Sequence, residues 1–183
     1  MSDCLLVVDI QNDYFPGGKM ELVDTGKAAA NAQLLLEMFR KEKWPVFHIQ
    51  HISTRPGATF FLPDTYGAEI NTMVAPERGE PVITKHFPNS FRETSLLAEL
   101  NRTNVENLII CGAMSHMCID STARAAFDLG FTCVVAEDAC TTRELTFNGR
   151  RVAASEVHAA FMAALSAPFA KVVKTEALIK GEV

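Results

Sequence analysis

The sequence NLIICGAMSHMCIDSTARAAFDLGFTCVVAEDACT, residues 107–141, changes periodicity twice. It opens on an apolar run at 108–111, breaks at Gly112, and after residues 113–117 sets apolar side chains at helical spacing. Ile119, Thr122, Ala123, Ala126 and Phe127 fall on one helical face, and Gly130 can end that helix. A second apolar run at 131–135 then reads as a strand. Strand, turn, helix and strand in this order make a βαβ unit. The unit places Cys118 on the first helical turn, just beyond the carboxyl end of a strand. Free backbone N–H groups and the positive end of the helix dipole favour a thiolate at such a position.

The flanking sequence repeats the alternation. Residues 4–8 (CLLVV) form a continuous apolar run between two aspartates, as expected of a parallel strand covered on both faces. Residues 45–49, 82–84 and 171–173 read as further strands. Helices are expected at 25–42, capped by Asp24 or Thr25, and at 95–101 and 152–165. Residues 50–79 lack periodicity and are rich in Pro and Gly, the mark of a lid or binding loop. The pattern predicts one α/β domain over residues 1–183, with a six-stranded, mostly parallel sheet and helices on both faces.

Bulk properties narrow the function. With 17 basic and 22 acidic residues the net charge is -5 and no basic run develops, so no nucleic-acid partner is expected. The apolar run near the start is too short for a signal peptide or membrane span, and the expected setting is cytoplasmic, with no membrane partner. Five cysteines, mostly within apolar runs, fit reduced thiols.

In parallel sheets ligands bind beyond the carboxyl ends of the strands. Asp9, Lys85 and Cys118 fall there, after the first, third and fourth expected strands. Taken singly they read as a turn residue, a solvated charge and a small buried hydrophobe. Taken together they supply a base, a cation that holds it ionised, and a nucleophile.

The segments VVDIQNDY, ITKHFPNSF, GAMSHMCIDSTARAAFDLGF and VVAEDACTT carry a resemblance. In order and spacing they resemble the cysteine hydrolase (isochorismatase-like) superfamily, which includes nicotinamidases, N-carbamoylsarcosine amidohydrolases and isochorismatases. The resemblance implies a Rossmann-like three-layer fold and a catalytic triad of Asp9, Lys85 and Cys118. It also implies a cis peptide between Ala113 and Met114, and an oxyanion hole at the N–H groups of Met114 and Cys118. The implied activity is hydrolysis of a C–N bond in a small-molecule amide or carbamoyl compound through a thioester, by a homo-oligomer. Vinyl ether hydrolysis, as in isochorismatases, and non-catalytic metabolite binding are the alternatives.

The sequence departs from nicotinamidases, whose metal site carries Asp-x-His after the second strand. Here His48 and His51 are three apart with no such aspartate, so neither metal nor cofactor is expected. His48 reads as buried in the sheet, and His51 as either pocket-lining or structural. The spacing of Cys111, His116 and Cys118 matches no common zinc pattern. Phe15, Phe60 and His116 are taken as pocket residues, and Asn89 and Ser90 as loop-fixing hydrogen bonders. A dinucleotide-binding fold would need Gly-x-Gly-x-x-Gly after the first strand, where Asp9-Ile10-Gln11-Asn12-Asp13 stands instead. A redox role for Cys118 would need a resolving thiol, for which Cys140, expected in a strand-end loop, is the candidate.

Overall fold

A computed structural model describes residues 3–182. Six parallel strands form the central sheet: β1 (Asp3–Val8), β2 (Val46–His51), β3 (Val82–Lys85), β4 (Asn107–Ala113), β5 (Thr132–Thr141) and, later in the chain, a short strand at Lys171–Val173. Two strands absent from the sequence reading, β6 (Leu145–Phe147) and β7 (Arg150–Val152), pair as a separate antiparallel hairpin, which makes Lys171–Val173 β8. The order across the main sheet is β3-β2-β1-β4-β5-β8. The chain therefore builds outward from β1 in one direction and then, from β4, in the other. The crevice between β1 and β4 is the switch point.

The helices are α1 (Thr25–Glu42), α2 (Leu96–Arg102), α3 (Asp120–Asp128), α4 (Ala154–Leu165) and the unforeseen α5 (Thr175–Ile179). Leu5 and Val7 of β1 face one way and pack with Ala32, Leu35, Leu36 and Phe39 of α1. Leu6 and Val8 face the other way and join Leu100 of α2, Ala123 of α3 and Met162 of α4. Both faces of β1 are thus buried, which is why its sequence is continuously apolar rather than alternating. Each such side chain contributes about 1.5 to 3 kcal/mol relative to exposure.

Several boundaries differ from the sequence reading. β5 runs on to Thr141, so Cys140 is a buried strand residue and not a loop thiol. Asp24 sits at the N-terminus of α1 but its side chain makes no cap; the carboxylate pairs with Lys27 at 3.2 Å instead. Thr25 Oγ1 turns inward and donates to the carbonyls of Tyr14 and Leu22. Residues 50–79 hold two single 3-10 turns, Tyr66–Ala68 and Thr72–Val74, and are tied down by polar contacts. Among the described residues, no helix is long and apolar enough to cross a membrane.

Candidate active site

β1 ends at Val8, and Asp9 takes a left-handed backbone conformation, φ 52°, with its N–H bonded to Ile49 O at 3.0 Å. Aspartate visits this region more readily than most residues. The carboxylate lies fully buried, and its Oδ2 is 2.7 Å from Nζ of Lys85, itself fully buried. Lys85 closes β3, two strands from β1, or roughly 10 Å at the usual strand spacing. The lysine stem bridges that span. Its ammonium also donates to the carbonyls of Phe87 and Pro88 at 3.1 and 3.4 Å, and lies 3.2 Å from His51 Nδ1.

Cys118 arrives from the opposite side of the crevice. The Ala113–Met114 peptide is cis, and the chain then makes a π-helical turn, Ser115–Ile119, before α3 begins. Met114 O accepts from Met117 N at 3.0 Å and from Ile119 N at 3.2 Å. The cysteine therefore rides a wider turn than the α-helical one its spacing suggested. Ser115 anchors this turn: its hydroxyl donates to Thr141 O at 3.1 Å and lies 2.8 Å from His158 Nδ1. Gly112 makes the approach to β1 possible. Its φ is 124°, and a Cβ there would stand 1.9 Å from Val8 O.

The Cys118 sulfur, one Asp9 oxygen and one His51 ring nitrogen all lie within 4.8 Å of one another. Burial first, and then the Asp9 carboxylate, push the Cys118 thiol up to about 12, against the opposing pull of Lys85. This corrects the expectation of a standing thiolate. Desolvation and a like charge favour the neutral form, so the resting group is a thiol beside a carboxylate. Burial alone would lower Lys85; Asp9 and Cys118 reverse this and raise it above its ordinary value. Asp9, His51 and Cys118 could in principle donate to a metal ion. The Lys85 ammonium, however, already stands at bonding distance from two of the three. His48 is on the other face of β2, its Nε2 2.9 Å from Glu80 Oε2, so the two histidines do not converge.

A cavity of about 470 Å³ opens above the cysteine. His51 and Phe60 line it, as expected. Phe15 and His116 do not. Phe15 packs against the core on the α1 side of the sheet. His116 turns away, its Nδ1 2.5 Å from Thr142 Oγ1 and its ring against Phe161. Residues two positions apart on a helical turn point to nearly opposite sides, and Cys118 takes the cavity side. Lining residues that the sequence reading passed over include Tyr14, Arg55, His86 and Met117. Tyr14 had a signal: it closes the DIQNDY segment. Burial, then Cys118 and Asp9, raise its phenol well above the usual range, so it stays protonated.

The rest of DIQNDY holds the loop in place. Gln11 donates to His51 O and Ala68 O at 2.9 and 2.7 Å and accepts from His51 N. Asp13 accepts from Phe61 N at 2.7 Å, with Gly67 packed so close that a Cβ there would meet the Asp13 carboxylate at 2.2 Å. Asn89 and Ser90 behave as expected, bonding Phe91 N and Thr122 Oγ1.

Fold and site together define a Rossmann-like three-layer α/β protein with a thiol, a carboxylate and an ammonium at its switch point. Residues 3–177 match the isochorismatase domain family model. The chain is 52% identical over 180 residues to YddQ of Bacillus subtilis strain 168, an uncharacterized isochorismatase family protein, covering 98% of this chain and 100% of that one. A solved structure from Oleispira antarctica, of a chain classed with the isochorismatase hydrolases, superposes with a TM-score of 0.95 at 49% identity, covering 98% and 97%. Streptothricin hydrolase of Streptomyces noursei is 33% identical over 77% of this chain and 50% of its own length. The chain belongs to the isochorismatase-like hydrolase family.

Proposed function

We propose that this hydrolase is a cysteine amidohydrolase, cleaving a C–N bond of a small amide or carbamoyl compound. The observation that carries the reading is the buried Asp9–Lys85 ion pair, 2.7 Å, directly beside the thiol at the floor of the cavity. The Cys118 sulfur attacks the carbonyl carbon as its proton passes to Asp9. Once protonated, Asp9 no longer repels the sulfur, and Lys85 remains as its counter-charge. The oxyanion collects on the N–H groups of Met114 and Cys118. Asp9 then gives its proton to the leaving amine, and the C–N bond breaks. Water, deprotonated by Asp9, hydrolyses the thioester and restores the thiol.

Retention of a nucleophilic cysteine supports amide over vinyl ether cleavage, because the latter does not need a thiol. The relative named streptothricin hydrolase is consistent with a hydrolase of this kind. The test is ammonia release from nicotinamide, carbamoyl compounds, ureido acids and cyclic amides, by wild type and Cys118→Ala. Turnover that vanishes in a folded Cys118→Ala variant is expected. Undiminished turnover in that variant would overturn the assignment.

A further inference from the structure

The cavity lining contains no aspartate or glutamate. Its one permanently charged side chain is Arg55, at the mouth, while Asp9 and Lys85 below the floor neutralise each other. In a chain of net charge -5, the lining of this cavity carries a positive side chain and no acidic one. Four of the nine arginines, Arg55, Arg78, Arg143 and Arg150, pair with no acidic side chain among the described residues, and of these only Arg55 lines the cavity. Arg40, Arg92, Arg102, Arg124 and Arg151 each pair with an acidic side chain. The exposed Arg55 guanidinium has no such partner among the described residues.

Its position is built rather than incidental. Arg55 opens a tight turn closed by Ala58 N donating to Arg55 O at 3.2 Å, with Gly57 at φ 78°. The base of that turn is pinned twice, by Ser53 N to Phe61 O at 2.8 Å and by Phe61 N to Asp13 at 2.7 Å. The rest of the lining is largely aromatic or thioether, with Phe60, Phe61 and Met114 among its walls. A chamber whose lining holds a buried thiol and an exposed, unpaired guanidinium suits a ligand with a carbonyl for the first and an anionic group for the second.

We propose that the substrate carries an anionic group, a carboxylate in the simplest case, and that Arg55 binds it at the cavity mouth while the scissile carbonyl rests over Cys118. This rests on the amidohydrolase reading. A guanidinium matches a carboxylate with two parallel hydrogen bonds, and an unpaired positive charge draws anions in by long-range attraction. Neutral amides of the same shape lack both advantages. The substrate class is then an acid that also bears an amide or carbamoyl nitrogen.

Calorimetric binding to Cys118→Ala tests the proposal, with succinamate, glutaramate and adipamate each compared with the corresponding diamide. At least one half-amide is expected to bind about tenfold more tightly than its diamide, with the ratio shrinking as salt is added. Arg55→Gln on that background should bring the ratio close to one, and Arg55→Lys should retain part of it. Equal binding of every pair, or a preference that survives Arg55→Gln, would overturn the anion site. Ammonia release by wild type separates the two readings. Anion-selective binding without release from any half-amide supports Arg55 and counts against amide hydrolysis. Release from diamides in preference to half-amides supports hydrolysis and overturns the role of Arg55.

Discussion

Lys85 Nζ and His51 Nδ1 lie 3.2 Å apart. An ammonium can only donate, so Nδ1 is the accepting nitrogen and the ring proton sits on Nε2. Burial, reinforced by Lys85, His86 and Arg55 against the pull of Asp9, lowers the ring to about 4. His51 is therefore neutral across the physiological range. The rate of hydrolysis is expected to show no inflection near pH 6.5 that disappears in His51→Gln. The variant, whose amide oxygen can still accept from Lys85, should lose about tenfold in kcat/KM through its contact with substrate. A pH–rate profile of both proteins checks this; a limb near 6.5 removed by the substitution would mean that the imidazole titrates in catalysis.

Asp9→Asn should separate thiol reactivity from turnover. After burial, the Asp9 carboxylate is the largest influence raising the Cys118 thiol. Removing its charge leaves Lys85 to pull the thiol down. Alkylation of Cys118 by iodoacetamide at pH 8 is expected to speed up, by about threefold for each unit the thiol falls, the tenfold gain in thiolate being partly offset by its lower nucleophilicity. Hydrolysis should drop by about a thousandfold for want of a proton carrier. All five cysteines are buried, but only Cys118 lines the cavity, so mass spectrometry of the alkylated peptide tells it apart from Cys4, Cys111, Cys133 and Cys140. Slower alkylation in the variant would contradict the account.

Lys85→Met should be costly to the fold. It strands the Asp9 carboxylate in a fully buried site, and breaking a buried pair from one side typically costs about 3 to 5 kcal/mol. The double variant Asp9→Asn with Lys85→Met removes the orphaned charge and should recover a large part of that loss. Urea unfolding of the single and double variants measures it. Equal destabilisation by both would show that packing of the lysine stem, rather than charge, dominates.

A second network, away from the cavity, predicts an acid-labile contribution. Glu80 accepts from Arg40 at 2.7 and 2.8 Å and lies 2.9 Å from His48 Nε2. Burial would raise its carboxyl, but Arg40, the Glu77 N–H and His48 hold it at about 2. A folded-state value below the unfolded one gives stability that is present above about pH 4.5 and lost as pH falls toward 2. Glu80→Gln is expected to lower stability by about 2 to 3 kcal/mol at pH 7 and by much less near pH 2.5. Melting temperatures of the two proteins at both pH values test it; a gap that persists in acid would assign the loss to shape rather than charge.

Local pattern carried the six strands of the sheet, the four longer helices and the strand-end placement of Asp9, Lys85 and Cys118. Those features follow from runs and periods of neighbouring side chains, and a strand buried on both faces announces itself by unbroken apolarity. The β6–β7 hairpin escaped because its strands, Leu145–Phe147 and Arg150–Val152, are three residues each and mostly exposed, with no buried face to pattern. α5 has only five residues, too few for a period to register.

What the tertiary structure alone decided is everything that depends on which strand ends meet. Strand order brought Lys85, two strands away, onto Asp9, and the positive φ of Gly112 let the chain pass close against β1 just before the turn that carries Cys118. Burial and the neighbouring carboxylate then reversed the expected charge of the thiol. The π turn sent His116 to the far side of its backbone, and the anchored loop put Arg55 at the cavity mouth. Desolvation and charge pairing are properties of groups far apart in sequence, so periodicity, which reads only neighbours, is blind to them.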